Sequence, residues 1–219
     1  MTRFVLATVV ASTLASAASA SFTGYSVERV LTAGGNSRYS VYANFSASNL
    51  VFLNAFSFVN VSGTMNARHQ DFFTADGLVG TWTAGTSVSA ADRGEDSWVT
   101  ASGLATSSGW GTALDPGFTA GGEVGDINNG AGWYDATPGT ANAIGAGGTQ
   151  GGYRMLIAQI VRSGDDTAQA VSNHSLQLSW KVAGTTTAIF GNGSFTIGVP
   201  APGAMALLGL AGLAGRRRR

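Results

Sequence analysis

Three acidic side chains stand close together in the sequence and could bind a metal ion. They are Asp92, Glu95 and Asp96. Carboxylate oxygens in a loop are ligands that suit Ca²⁺, so these three residues are a candidate calcium site, and Ca²⁺ is the one cofactor that the sequence suggests. The alternative is a solvated turn in which acidic side chains bond their own backbone. The acidic turns at residues 126–130 and 165–166 are weaker candidates of the same kind.

The two histidines give little support for nucleophilic catalysis. His69 and Asp71 are two residues apart, a spacing that is common by chance, and His174 opens a predicted strand as a surface or partly buried donor. There is no Gly-x-Ser-x-Gly elbow, and there is no cysteine to serve as a thiol nucleophile. We therefore expect a protein that is not an enzyme. A carboxylate pair of a secreted glycan hydrolase stays an open alternative, because its separation is spatial.

Aromatic side chains offer a second kind of binding chemistry. Tryptophan rings stack on sugar rings when they are exposed, which would make the chain a carbohydrate-binding module with extracellular polysaccharide as its partner. The usual role of such rings is packing in the core or under loops. The candidates are Trp82, Trp98, Trp110 and Trp133. The glycines of residues 145–152 do not match a dinucleotide-binding motif, and we interpret them as a loop.

The segments that must position these residues alternate in polarity with the period of β-strands. Residues 25–31, 38–46 and 50–61 follow one another with turns between them, and regular alternation returns at residues 153–162. Residues 174–183 and 194–199 complete the set, with a turn predicted at 191–193. The pattern predicts an all-β fold, a single antiparallel β-sandwich or jelly-roll-like domain.

Two of these segments are apolar on both faces. Residues 50–61 and 153–162 are therefore predicted to be central strands that are buried on both sides. Residues 174–183 instead place Leu176, Leu178 and Trp180 on one face and polar side chains on the other, as in a strand with one solvated face.

The charge of the predicted mature body argues against nucleic acid as a partner. The whole chain has twelve basic and twelve acidic residues. Five of the basic residues, Arg3 and Arg216, Arg217, Arg218 and Arg219, lie at the two ends, which leaves the body with a net charge of about −5. An acidic body repels polyanions.

The first twenty residues have the layout of a secretory signal peptide. Arg3 is followed by an apolar segment and then by Ala18-Ser19-Ala20, a small-residue cleavage site for signal peptidase. We expect Ser21 to be the mature N-terminus.

The last twenty-one residues form a second targeting segment. Val199-Pro200-Ala201-Pro202 resists helix, an apolar run follows, and Arg216 to Arg219 end the chain. A helix over residues 203–215 would be only about 20 Å long, shorter than the roughly 30 Å hydrocarbon core of a bilayer. The arginines favour the cytoplasmic side. We therefore expect this segment to anchor the protein temporarily in the inner membrane.

This tail resembles a PEP-CTERM sorting signal, the tag that exosortase-type membrane proteases recognise in certain bacteria. The resemblance covers about the last tenth of the chain, and Ala201 stands where the family commonly has glutamate. It implies export and processing at the cell surface, but no particular molecular activity.

Together these features predict three parts. Residues 1–20 are the signal helix, 21–198 the β-sandwich domain, and 199–219 the sorting tail with its short hydrophobic helix. The expected function is that of an exported cell-surface or extracellular-matrix protein.

Overall fold

The computed structural model describes residues 21–68, 82, 89–101, 112–118, 124–136, 145–146, 152–166 and 171–199. These ranges contain twelve strands and one helical turn. In chain order they are β1 Phe22–Leu31, β2 Ser37–Phe45, β3 Leu50–Ser62, β4 Ala67–Arg68, α1 Ala90–Arg93, β5 Trp98–Val99, β6 Thr112–Leu114, β7 Val124–Gly125, β8 Trp133–Asp135, β9 Gly145–Ala146, β10 Tyr153–Arg162, β11 Ser172–Val182 and β12 Ile189–Ile197.

The strands form two five-stranded sheets and one two-stranded sheet. Sheet A has the order β1-β2-β10-β5, with β9 also paired to β10, and sheet B has the order β12-β11-β3-β8-β6. Strands β4 and β7 make the small sheet. Every pairing between the described strands is antiparallel. The predicted all-β class is confirmed.

Aromatic side chains join sheets A and B through a common core. The ring centroids of Phe45 in β2 and Trp180 in β11 are 5.6 Å apart, and those of Tyr25 in β1 and Phe195 in β12 are also 5.6 Å apart. The Tyr25 hydroxyl donates a hydrogen bond of 2.9 Å to the carbonyl of Leu176 in β11. Full burial of each large apolar side chain contributes roughly 1.5–3 kcal/mol, so this layer is the main source of stability.

The predicted alternation of β2 and the extent of β10 are confirmed. Tyr39, Val41, Ala43 and Phe45 are buried on one face of β2, and β10 spans the ten residues predicted for it. Strand β10 lies between β2 and the short strands β5 and β9, which is the central position expected of it.

Strand β3 is central in sheet B, but the prediction that both its faces are buried is wrong. The buried residues are Leu50, Phe52, Ala55 and Phe58, while Val59 is 41% exposed. The register against β11 shifts at three places along β3. Each β-bulge adds one residue and reverses the face that looks inward. The apolar run of residues 50–61, predicted to be buried on both faces, is therefore a bulged strand with one buried face.

The predicted turn at residues 191–193 is also wrong. Both glycines lie inside β12, where Gly191 pairs with Leu178 and Gly193 with Leu176. A Cβ atom on Gly191 would come within 3.0 Å of the Trp180 ring, and one on Gly193 within 3.0 Å of the Tyr25 ring. These glycines leave room for core aromatics instead of turning the chain.

The predicted signal helix and tail helix lie outside the described residues, as do Ala18, Ala20, Pro200, Ala201, Pro202 and the four terminal arginines. In the ranges that the structure describes, no helix has the length and apolar character needed to cross a bilayer.

Candidate functional site

Glu95, one of the predicted calcium ligands, binds the turn between β1 and β2. Its carboxylate accepts hydrogen bonds from Thr32 Oγ1 at 2.8 Å, the Gly34 amide at 2.9 Å and Asn36 Nδ2 at 2.8 Å. Burial alone would raise the pKa of Glu95, but these three bonds and the nearby charge of Arg68 outweigh it, and the pKa lies below its usual value. The carboxylate acts as a structural acceptor.

The other two predicted calcium ligands do not complete a site among the described residues. Asp96 is buried, and its Oδ1 accepts a hydrogen bond of 2.8 Å from the Ser97 amide. The side chain of Asp92 is outside the described part. Among the residues that the structure describes, no group of three His, Cys, Asp or Glu is arranged to hold a metal ion. The calcium site stays a prediction.

A groove of about 430 Å³ lies beside Glu95. It is lined by Leu31, Thr32, Ala33, Gly34, Arg38, Ala91, Gly94 and Glu95. Because the Glu95 oxygens already bind the turn, the other large side chains that line the groove are those of the exposed Leu31 and the partly exposed Arg38.

The acidic turn after β10 also serves the fold. Asp166 is buried and forms an ion pair with Arg162 at 2.9 Å, and its carboxylate accepts a hydrogen bond of 2.6 Å from the Tyr39 hydroxyl. Burial, followed by the contact with Asp166, raises the pKa of Tyr39. Asp165 pairs with Arg29 of β1. Both carboxylates therefore have structural partners.

The third acidic turn holds the end of β3. Asp126 accepts a hydrogen bond of 2.8 Å from the Asn66 amide, and Asn129 accepts one of 2.7 Å from the Asn60 amide. These bonds use side-chain oxygens that a cation would need.

His174 is buried in the core, contrary to the expected surface or partly buried position. Its ring stacks on Phe58 at 5.3 Å and lies 5.3 Å from Phe195, and its Nε2 is 2.8 Å from Ser172 Oγ. Burial lowers the pKa of His174 to about 4, with Asp126 opposing the shift and Arg162 adding to it. The imidazole is therefore neutral at pH 7. His69 and Asp71 lie outside the described residues.

Three of the four tryptophans named as candidates for sugar stacking are buried. Trp82, Trp98 and Trp133 are each no more than 3% exposed, which confirms the packing interpretation for them. Trp110 is outside the described ranges. A ligand-binding surface in the described part of the chain therefore needs aromatic residues other than these three tryptophans.

Such rings occur on the face of sheet B that points away from the core. Phe190 of β12 is 67% exposed and Tyr134 of β8 is 45% exposed. Phe190 pairs with Ser179, Ser179 with Asn54, and Asn54 with Tyr134, so the four residues form one row across four strands. Strands are about 4.8 Å apart, which places the backbones of the two aromatic residues about 14 Å apart.

The row is held by polar and aromatic contacts. Ser179 Oγ donates a hydrogen bond of 2.5 Å to Asn54 Oδ1. The ring of Phe56 meets that of Phe190 edge-on, with centroids 6.3 Å apart. Gln177, which pairs with both Asn192 and Phe56, adds an exposed amide to the next row.

Hydroxyl and amide groups continue along the same face. The next row contains Ser194, Ser175 and Val59, and the last contains Thr196, Asn173 and Ser62. In that last row Thr196 Oγ1 donates to Asn173 Oδ1 at 2.8 Å, and Asn173 Nδ2 donates to Ser62 Oγ at 2.9 Å. On β11, the charged residue Lys181 lies at the border of these rows.

We call these four rows the sheet B platform. It comprises Asn54, Phe56, Val59, Ser62, Tyr134, Asn173, Ser175, Gln177, Ser179, Phe190, Asn192, Ser194 and Thr196. All its members are uncharged, and they combine aromatic faces with donors and acceptors of hydrogen bonds. Chemically, the platform suits a neutral polyhydroxylated ligand that offers both C–H faces and hydroxyl groups.

The outer face of sheet A differs from the platform. Gln159 of β10 donates hydrogen bonds to the carbonyls of Arg93 and Asp96, so the segment around α1 covers this part of the sheet. Further along, the Arg154 guanidinium lies 3.9 Å from the centroid of the Tyr42 ring and pairs with Glu28. This face is partly covered and charged.

The sequence contained only part of the signal for the platform. The polar face of residues 174–183 was visible in the alternation of β11. Phe190 and Tyr134 are far apart in the chain, and only the strand register shows that they share a row.

Comparison of the chain with protein-family models, with curated proteins and with solved structures gave no match. Function is therefore inferred from the chemistry of the described residues and from the predicted targeting segments.

Proposed function

We propose that the chain is an exported, non-enzymatic cell-surface or extracellular-matrix protein whose body is a single antiparallel β-sandwich or jelly-roll-like domain. Signal peptidase removes residues 1–20, and an exosortase-type membrane protease processes the tail during a transient stay in the inner membrane. The tail carries this proposal, because its proline motif, apolar run and arginine cluster occur in the order of a sorting signal.

The first and last described strands lie just inside these boundaries, which supports them. Ser21 donates its backbone N–H to Ser46 Oγ at 2.9 Å, and its carbonyl accepts a hydrogen bond from the Ser46 amide. At the other end, Ile197 still pairs with Ser172. The described strands thus begin and end between the two proposed cleavage regions.

Fractionation and mass spectrometry test the export proposal in a bacterium that carries an exosortase-type protease. The expected product is an extracytoplasmic protein that begins at Ser21 and has lost its tail. Replacing Arg216 to Arg219 by serine should leave removal of residues 1–20 unchanged while the processing of the tail fails. A cytosolic protein that keeps both ends would refute the proposal.

A second candidate function, carbohydrate binding, is favoured by the sheet B platform. Phe190 and Tyr134 stand at the two ends of a row whose middle members are the partly exposed Asn54 and the buried Ser179. Their rings offer stacking surfaces for the C–H faces of sugars, and the uncharged platform favours a neutral polysaccharide over an anionic one.

Pull-down with insoluble neutral polysaccharides tests this function. We expect Phe190→Ser and Tyr134→Ser each to weaken binding about tenfold, equivalent to about 1.4 kcal/mol. Val30→Ser is the matched control, because Val30 is 43% exposed but lies on β1 in sheet A. Equal effects of all three substitutions would exclude the platform. Shortened soluble products would indicate a hydrolase instead.

A further inference from the structure

In the described part of the chain, strand β12 forms an edge of sheet B, and its own residues include no charge, proline or bulge to protect that edge. Among the described strands it pairs with β11 alone. Its nine residues include no charged residue and no proline. Phe190, Asn192, Ser194 and Thr196 are all exposed on the platform side. An uncharged strand of this length offers a template for pairing with another chain.

The neighbouring edge of sheet A is different. Strand β1 lies over β12, as the contacts of Tyr25 with Phe195 and Gly193 indicate. It carries Glu28 and Arg29, and its register is interrupted near Gly24, where φ is 125°. Charged residues and bulges are the usual means of blocking edge-to-edge association. Of these two edges, β12 is the one that the described residues leave without such protection.

The sequence of β12 is complementary to itself in an antiparallel arrangement. When two copies pair about Gly193, Asn192 lies opposite Ser194, and Ile189 lies opposite Ile197. Phe190 then lies opposite Thr196, and Gly191 opposite Phe195. The two residues of each pair lie on the same face of the sheet. The aromatic ring of Phe195 covers the backbone that the opposite Gly191 leaves bare.

We propose that β12 pairs with β12 of a second copy of this chain, giving a two-fold dimer that joins the two sheets B into one. The two platforms become continuous across the junction. This inference rests on the topology and on the β12 residues, and it holds whether or not the platform binds polysaccharide.

Analytical ultracentrifugation of the purified full chain in mild detergent, with charge variants, tests the dimer. Asn192→Lys places a cation on the edge strand and should raise the dimer dissociation constant at least tenfold, about 1.4 kcal/mol. Gln177→Lys is the matched control, because Gln177 is the exposed partner of Asn192 in the same row but on interior strand β11. It should leave the dissociation constant unchanged. Circular dichroism verifies that both variants fold.

Disulfide trapping tests the register directly, since the chain has no cysteine of its own. Opposite residues of antiparallel strands have Cα atoms about 4.5–5.5 Å apart, within the range that a disulfide spans. Mixing Asn192→Cys with Ser194→Cys protein should give cross-linked dimers on oxidation, faster than either variant alone. Three results would overturn the proposal: a monomeric wild type at micromolar concentrations, equal effects of the two lysine variants, or a dimer lost only when the tail is removed.

Discussion

His174 shows how a single residue type takes its properties from its surroundings. The imidazole lies between Phe58 and Phe195 in the core and contacts Ser172 Oγ. Transfer of the charged form out of water is unfavourable, which is why burial lowers the pKa of His174 to about 4. In the unfolded chain the same group has a pKa of about 6.5.

This difference predicts a loss of stability in mild acid. Between about pH 6.5 and pH 4 the unfolded state binds a proton that the folded state does not, so the free energy of unfolding falls as pH decreases. The full effect of His174 is up to about 3 kcal/mol. We expect His174→Phe to remove this part of the pH dependence in urea unfolding at pH 7 and pH 4.5. An unchanged slope in the variant would contradict the assignment.

Glu95 changes stability in the same direction as His174, but at more acidic pH. Its folded-state pKa is lowered, so its stabilising bonds to the β1–β2 turn are present above its usual pKa and are lost in stronger acid. We expect Glu95→Ala to reduce the free energy of unfolding at pH 7 by about 1–3 kcal/mol, because Thr32 and Asn36 lose their acceptor. Glu28→Ala, at a partly exposed ion pair, should cost less than about 1 kcal/mol. Equal losses in chemical denaturation would refute the structural role.

At this scale, the sequence identified residues but not their roles. Asp92, Glu95 and Asp96 lie within five residues of one another in the chain, and their spacing indicated a metal site. The partners of Glu95 come from the turn after β1, some sixty residues earlier. Short-range spacing contains no information about such a contact, so a structural acceptor and a metal ligand look alike.

At the scale of the element, β12 packs one face against the core and has two glycines, Gly191 and Gly193, on that face. Gly193 leaves space for the Tyr25 ring, and its neighbour Ser194 is exposed. We expect Gly193→Val to destabilise the protein by about 1–3 kcal/mol through overpacking. Ser194→Val, on the outer face of the same strand, should change stability by less than about 0.5 kcal/mol. Similar thermal midpoints for the two variants would show that Gly193 is not needed for packing.

The sequence predicted regular strands well and irregular ones poorly. In β2 the period of two persists without a break, so side-chain alternation alone identified the buried face. In β3 the bulges alter that period, and one apolar run seemed to fill both faces. In β12 the glycines suggested a turn. The rings that occupy the space beside them belong to β1 and β11, so the sequence of β12 alone did not show that these glycines serve core packing.

At the scale of the whole molecule, the core lies between sheets whose strands come from both ends of the body. A fragment of residues 21–199 should therefore fold as one cooperative unit, with a melting temperature within about 2 °C of that of residues 21–219. Calorimetry measures both. A fragment that unfolds in a broad or much lower transition would show that the tail is part of the domain.

The all-β class followed from alternation, but the sheet order did not. Strand pairing depends on contacts between distant segments, and the sequence contains no local sign of which strands will meet. The platform illustrates this limit. Its rows depend on β3 and β11 lying side by side, and Ser179 and Asn54, which bond there, are 125 residues apart.

These long-range pairings also determine when folding can finish. Strand β2 needs β10 and β3 needs β11, so neither sheet can close until the last third of the body is available. Domains with such high contact order fold in milliseconds to seconds, slower than those built from local contacts. When a chain emerges from its N-terminal end, whether from a ribosome or through a membrane pore, neither sheet can be completed until β10 and β11 have emerged.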